Sequence, residues 1–277
     1  MQVSETAQPA PDRGASASVL LRADKENVAL LTLHRPEARN ALSDALIDAL
    51  SRELDAIAAD RSIRAVIVAS APSSCFSSGH DLKEISARRS DPDRGRAYFE
   101  DLLGRCAAMM QKIVRLPQPV IAAVESLATA AGCQLVASCD LAVAGEDARF
   151  CTPGVHIGLF CSTPMVALSR NVAPKHAMEM LLTGETIAAA DALRMGLVNR
   201  VVPAGHAVDA ARRLAAVIAS KSAPVLAVGK RAFYEQIEMG LEDAYAHASR
   251  VMAENMLARD AEEGIGAFLE KRTPRWE

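Results

Sequence analysis

Aromatic residues make up only 4% of the 277 positions and the formal net charge is −3. Neither footprint of nucleic-acid binding is therefore present: a phosphate-binding surface needs surplus Lys and Arg, and a single-strand platform needs aromatic faces for bases to stack on. The six cysteines, at 75, 106, 133, 139, 151 and 161, form no CxxC pair and no Cys/His spacing that closes a tetrahedral zinc site. Each reads as a reduced thiol serving as a small core residue, with no metal expected. Long apolar runs are missing too. Val120–Val124 and 135–143 are broken well short of the ~20 residues a bilayer span requires, so no membrane partner is expected.

Familiar chemical signatures are absent as well. No GxGxxG follows a strand, Gly229-Lys230 lacks the upstream glycine of a phosphate loop, and there is no GxSxG elbow. Nicotinamide, nucleotide-hydrolysing and serine-hydrolase chemistry lose their usual sequence support. Residues 1–17 (MQVSETAQPAPDRGASA) carry no hydrophobic signal core and read as a disordered tail. Glu5 and Asp12 argue against an Arg-rich, acid-poor mitochondrial presequence, which makes the expected location cytoplasmic.

What is present is an alternation of apolar strands and amphipathic helices. Val28–Leu33, 64–69 and Val120–Val124 are β-branched runs. Leu42, Leu46, Leu50, Leu54 and Ile57 mark a helix face, and 98–114 reads as a second helix. The polar stretch 88–96, with Pro92 and Gly95, reads as a mobile excursion, and from Ala207 onwards the pattern is helical. This order predicts an α/β fold with crossover connections and ligands at the carboxyl ends of strands. It divides the chain into a tail (1–17), an α/β core (18–206) and a C-terminal helical region (207–277).

Two loops stand out for chemistry. Ser77-Ser78-Gly79-His80-Asp81-Leu82-Lys83 and Ala130-Ala131-Gly132-Cys133-Gln134 each place small residues just before a helix start, where backbone N–H groups are free. One N–H from each can converge on a single carbonyl oxygen, with the dipole of the helix at Gly132 favouring an enolate's negative charge.

The stretches HRPEARNALS (34–43), CFSSGHDLKE (75–84), IAAVESLATAAGCQLVASCDLAVAGEDARF (121–150) and LLTGETIAAADALRMGLVNRVVP (181–203) resemble, in order, the crotonase (enoyl-CoA hydratase/isomerase) family. The resemblance runs from Val28 to the C-terminus. It implies a spiral of β-β-α units with a C-terminal helical trimerisation region, and an acyl-CoA or enoyl-CoA thioester as substrate in fatty acid metabolism. Coenzyme A would be part of that substrate, with no separate cofactor, and the assembly a homo-trimer or hexamer. It further implies that the N–H groups of His80 and Ala131 form an oxyanion hole. CoA would run past Asn40, Ala41, Leu42, Ser78, Gly79 and Lys83, with Lys271 reaching a neighbouring subunit's nucleotide.

The chain departs from the family where hydratases carry their two proton-transferring glutamates, because those positions match Gln134 and Gly154. An amide orients water but does not exchange a proton at useful pKa, and glycine offers no side chain. His156, Cys161 and Ser162 are the nearby replacement candidates, His156 as a titrating group and the other two as acyl-pocket donors or nucleophiles. Asp140 and Glu125 read as structural acids at strand ends. The leading expectation is a lyase-type acyl-CoA enzyme, nominally an enoyl-CoA hydratase. Its rivals are a catalytically silent acyl-CoA binder or a different thioester reaction, hydrolysis or decarboxylation; RNA binding lacks the basic helix it needs.

Overall fold

A computed structural model describes residues 18–276; the tail expected over 1–17 lies outside them. Six strands form one sheet in the order β1 (Leu20–Lys25), β2 (Val28–Leu33), β3 (Ala65–Ser70), β5 (Val120–Val124), β7 (Leu141–Gly145) and β10 (Arg200–Val202). All neighbours are parallel except the β1–β2 hairpin. A smaller sheet runs β4 (Cys75–Ser77), β6 (Leu127–Thr129), β8 (Arg149–Cys151) and β9 (Ile187–Ala188), its first three strands parallel. Helices α1 (Asp44–Ala59), α2 (Leu82–Ala87), α3 (Arg96–Arg115), α4 (Ala131–Ser138), α5 (Ser162–Leu168), α6 (Pro174–Thr183) and α7 (Ala189–Met195) connect them. Four more follow: α8 (Ala207–Ala219), α9 (Ala223–Gln236), α10 (Leu241–Met256) and α11 (Arg259–Leu269).

The pairs β3–β4, β5–β6 and β7–β8 each send one strand to the large sheet and the next to the small one before a helix returns the chain. This is the expected spiral of β-β-α units. Both faces of the large sheet are covered, which explains why its central strands read as unbroken apolar runs. Along β3, Val66 and Val68 pack with α1 and α3, whereas Ala65, Ile67 and Ala69 face the alanines 207, 210, 211 and 215 of α8. The helical region thus begins as the lid of the sheet, and α8 comes close because its inward face is alanine.

The two acids read as structural behave so. Glu125 accepts from Gly205 N and Ala207 N, capping the start of α8. Asp140 accepts from Val120 N (2.7 Å), Lys230 Nζ (2.7 Å) and the Tyr234 hydroxyl (3.0 Å), tying α9 to the ends of β5 and α4. The polar stretch expected to be a mobile excursion is folded instead. Asp93 accepts from the N–H groups of Gly95 (2.9 Å) and Ala97 (2.8 Å) at the start of α3, a side-chain turn that periodicity does not reveal.

Candidate active site

The carboxyl ends of β4, β6 and β8 lie side by side in the small sheet and carry the loops singled out in the sequence. Beyond β4, Leu42 forms a parallel bridge with His80. Leu42 N donates to Gly79 O (2.7 Å) and Asp81 N to Leu42 O (3.4 Å). In a parallel bridge these two bonds flank the central residue, so the N–H of His80 points away from residue 42.

Side chains sew this loop in place. Asp81 Oδ1 accepts from Lys83 N at the start of α2, and Oδ2 pairs with Arg35 at 3.2 Å. Arg35 also donates to Ala41 O (2.9 Å). The buried Asn40 accepts from Arg35 N and donates to Cys75 O, both at 2.9 Å. The side chain of Asn40 is therefore spent on holding the loop, and the N–H groups of Asn40, Ala41 and Leu42 are bonded within it as well.

Beyond β6, Ala130 takes φ 51° and ψ −120°, a conformation a side chain disfavours by ~1–3 kcal/mol, and its N–H is held by Cys151 O at 3.0 Å. The kink starts α4 at Ala131, whose N–H is one of the groups a helix leaves unsatisfied. The two loops touch through glycines. A Cβ on Gly79 would stand 3.1 Å from Ala131 N, and one on Gly132 would stand 2.3 Å from Ser77 O. Among the described residues, neither His80 N–H nor Ala131 N–H has a hydrogen-bond acceptor. Two free donors on touching loops, one at a helix N-terminus, are what a developing oxyanion requires.

Around these donors lie buried polar atoms without partners: Oε1 of Gln134, Oγ1 of Thr152 and both ring nitrogens of His80. Burial pushes the His80 imidazole below its usual pKa. The sequence pointed to the backbone of His80 and gave no signal for its ring or for Thr152.

Gly154, expected to match the family's second glutamate, lies in a short 3-10 turn, Pro153–Ile157, with Cys161 and Leu159 O against it. Cys161 is buried, with its thiol pushed up by burial. His156 is turned elsewhere: it is exposed, and Nε2 lies 2.9 Å from Thr183 O, against Gly184. Ser162 is exposed, its hydroxyl 3.4 Å from Phe160 O. Ser78 is half-buried with its N–H on Arg39 O, while Lys83 and Lys271 are exposed cations. The structure brings Gly79 against Ala131, while Gly154 packs against Cys161 and Leu159, and His156, Ser162 and Lys271 are exposed elsewhere.

A family profile described as enoyl-CoA hydratase/isomerase matches residues 23–277. The chain is 48% identical over 246 residues to "Enoyl-CoA hydratase domain-containing protein 3, mitochondrial" of Xenopus laevis, covering 89% of this chain and 82% of that protein. Among solved structures, an enoyl-CoA hydratase of Mycobacterium smegmatis superposes with a TM-score of 0.88 at 51% identity, covering 93% of this chain and 98% of that one. Human enoyl Coenzyme A hydratase domain-containing protein 3 gives a TM-score of 0.88 at 44% identity, covering 93% and 100%. The cytoplasmic expectation needs correction here. The frog relative and its rat and human counterparts are all named mitochondrial, which contradicts the cytoplasmic assignment drawn from Glu5 and Asp12.

Proposed function

The chain belongs to the enoyl-CoA hydratase/isomerase family, and we propose that it binds an acyl-CoA thioester and stabilises its enolate or tetrahedral oxyanion through the N–H groups of His80 and Ala131. The observation that carries this reading is the pair of acceptor-free N–H groups on two loops that touch at Gly79 and Ala131. The inherited reaction is hydration of a 2-enoyl thioester. Gln134 and Gly154 remove its proton carriers, and each lost acid/base step costs on the order of 10²- to 10⁴-fold in rate. CoA passes the backbone of Asn40–Leu42, the Ser78–Gly79 turn and Lys83.

The assembly is a homo-trimer or hexamer. Support comes from α9–α11, which expose Phe233, Leu241, Tyr245, Phe268 and Leu269, more apolar surface than a monomer's helices carry without a covering partner. In that assembly the exposed Lys271 reaches the nucleotide of a neighbour's CoA.

Purified protein is titrated calorimetrically with butyryl-CoA while crotonyl-CoA is followed by loss of its conjugated-enoyl absorbance. Thioester binding is the expected result. Binding with no turnover of any thioester favours a silent acyl-CoA-binding protein, and no binding of either thioester overturns the proposal.

A further inference from the structure

Helix α11 ends in a turn that its own sequence disfavours. Lys271 N donates to Phe268 O (3.2 Å) and Arg272 N to Ala267 O (2.9 Å), the two bonds that close a helix when the residue after its cap turns left-handed. That residue is Lys271, at φ 56°. Glycine is the ordinary occupant, because a Cβ is disfavoured in this conformation. A lysine with an exposed side chain stands there instead, and a strained backbone of this kind persists only where its surroundings fix it.

The surroundings do fix it. Glu263, two turns back on α11, accepts from both terminal nitrogens of Arg272 (2.6 and 2.8 Å) and from the backbone N–H of Arg275 (2.7 Å). Glu270 accepts from Arg272 Nε at 2.6 Å. The chain is thereby folded back along the helix as far as Trp276, whose Nε1 donates to Ser220 O (3.0 Å). The Trp276 ring lies over Gly264, where a Cβ would stand 3.2 Å from it. Glycine weakens a helix interior, and here it makes the seat for the ring. Hydrogen bonds from Arg272 and from Arg275 N hold the Glu263 carboxyl down to about 2, so the clamp stays charged across the neutral range. An exposed ion pair contributes little to stability. A forked pair that also takes a backbone donor fixes direction, and the direction it fixes is that of the turn at Lys271.

We propose that Glu263 is a positioning residue: by clamping Arg272 and the Arg275 N–H it holds the left-handed turn from which Lys271 presents its ammonium group to the nucleotide phosphates of a neighbouring subunit's CoA. The proposal rests on the reading of Lys271 given above and adds the device that aims it. The two residues do different things, Lys271 supplying charge and Glu263 orientation. Loss of Glu263 leaves the cation in place but unaimed, and only the nucleotide end of the ligand registers the change.

The test compares, by calorimetry on the full-length protein, butyryl-CoA with butyryl-pantetheine, which keeps the thioester and lacks the nucleotide. Glu263→Gln and Lys271→Ala should each weaken butyryl-CoA binding roughly fivefold to tenfold and leave butyryl-pantetheine binding within about twofold. Lys271→Gly relieves the backbone and should melt about 2 °C above the wild type, yet bind butyryl-CoA as weakly as Lys271→Ala. A residue with a purely structural role does not move stability and affinity in opposite directions. Equal weakening of both ligands in Glu263→Gln, or an unchanged butyryl-CoA affinity there while Lys271→Ala weakens it, would overturn the role given to Glu263. An unchanged affinity in Lys271→Ala would overturn the reading of Lys271 and this inference with it, leaving thioester binding standing. Absence of butyryl-CoA binding in the wild type would overturn all three.

Discussion

The sulfur of Cys161 occupies the space into which a side chain at Gly154 would grow: a Cβ on Gly154 would lie 2.9 Å from Cys161 Sγ and 2.9 Å from the carbonyl oxygen of Leu159. No hole is left at Gly154, because the loop carrying Leu159 and Cys161 packs into the space a side chain would take. Returning the carboxylate alone should therefore fail. Gly154→Glu is expected to lose about 1–3 kcal/mol of stability through overpacking, measured by urea midpoints, and to show no crotonyl-CoA hydration in the absorbance assay. Because Leu159 O is backbone, Cys161→Gly on top of Gly154→Glu should recover only part of the stability.

Gly132 is held more tightly still, with Ser77 O at 2.3 Å from its Cβ position. Gly132→Ala must push α4 away from β4 and so separate the His80 and Ala131 N–H groups. The expected result is an acyl-CoA affinity at least tenfold weaker by calorimetry, together with a lower melting temperature. Gly229→Ala, where a Cβ meets nothing within 4 Å, is the control and should leave both unchanged.

The burial of the His80 ring predicts a pH dependence of stability. Its folded-state pKa lies below the ordinary 6.5 because of burial, so between those two values the unfolded chain binds the proton and the folded one does not. Stability contributed this way is present above the unfolded pKa and is lost as pH falls through that window, by up to about 1.4 kcal/mol per pH unit. Comparing urea midpoints of the wild type and His80→Gln from pH 7.5 to 5 should give a shallower acid loss in the variant. Parallel curves would contradict it.

Asp140 and Lys230 form a pair whose side chains are 15% and 8% exposed, and Lys230 also donates to Ile113 O and Gln118 O. Burial pushes the Lys230 ammonium below its usual pKa, countered by Asp140. Removing one partner leaves the other charge buried, so Asp140→Ala is expected to cost about 3–5 kcal/mol. Far-ultraviolet circular dichroism during a urea titration should show the loss.

The large sheet was legible because its central strands are apolar on both faces, and α1 because its leucines recur at helical spacing. The small sheet was not. Strands β4, β6, β8 and β9 are two or three residues long, below the length at which a pattern separates from a loop. Strand β1 is mostly exposed and carries three charged residues in six, so it lacks the alternation that marks a strand. The loops around Gly79 and Gly132 were legible through their glycines and the family motifs they sit in. Thr152 and the His80 ring were not, because being buried without a partner is a property of the folded environment and leaves no spacing to read.

The central claim is that His80 N–H and Ala131 N–H converge on a thioester carbonyl, and the most direct test is the carbonyl stretch of bound acyl-CoA. Difference infrared spectra with butyryl-CoA labelled with carbon-13 at the thioester carbon should show the carbonyl band moved to lower wavenumber on binding, a shift that Gly132→Ala diminishes. A bound thioester whose carbonyl band stays at its solution position would contradict the account.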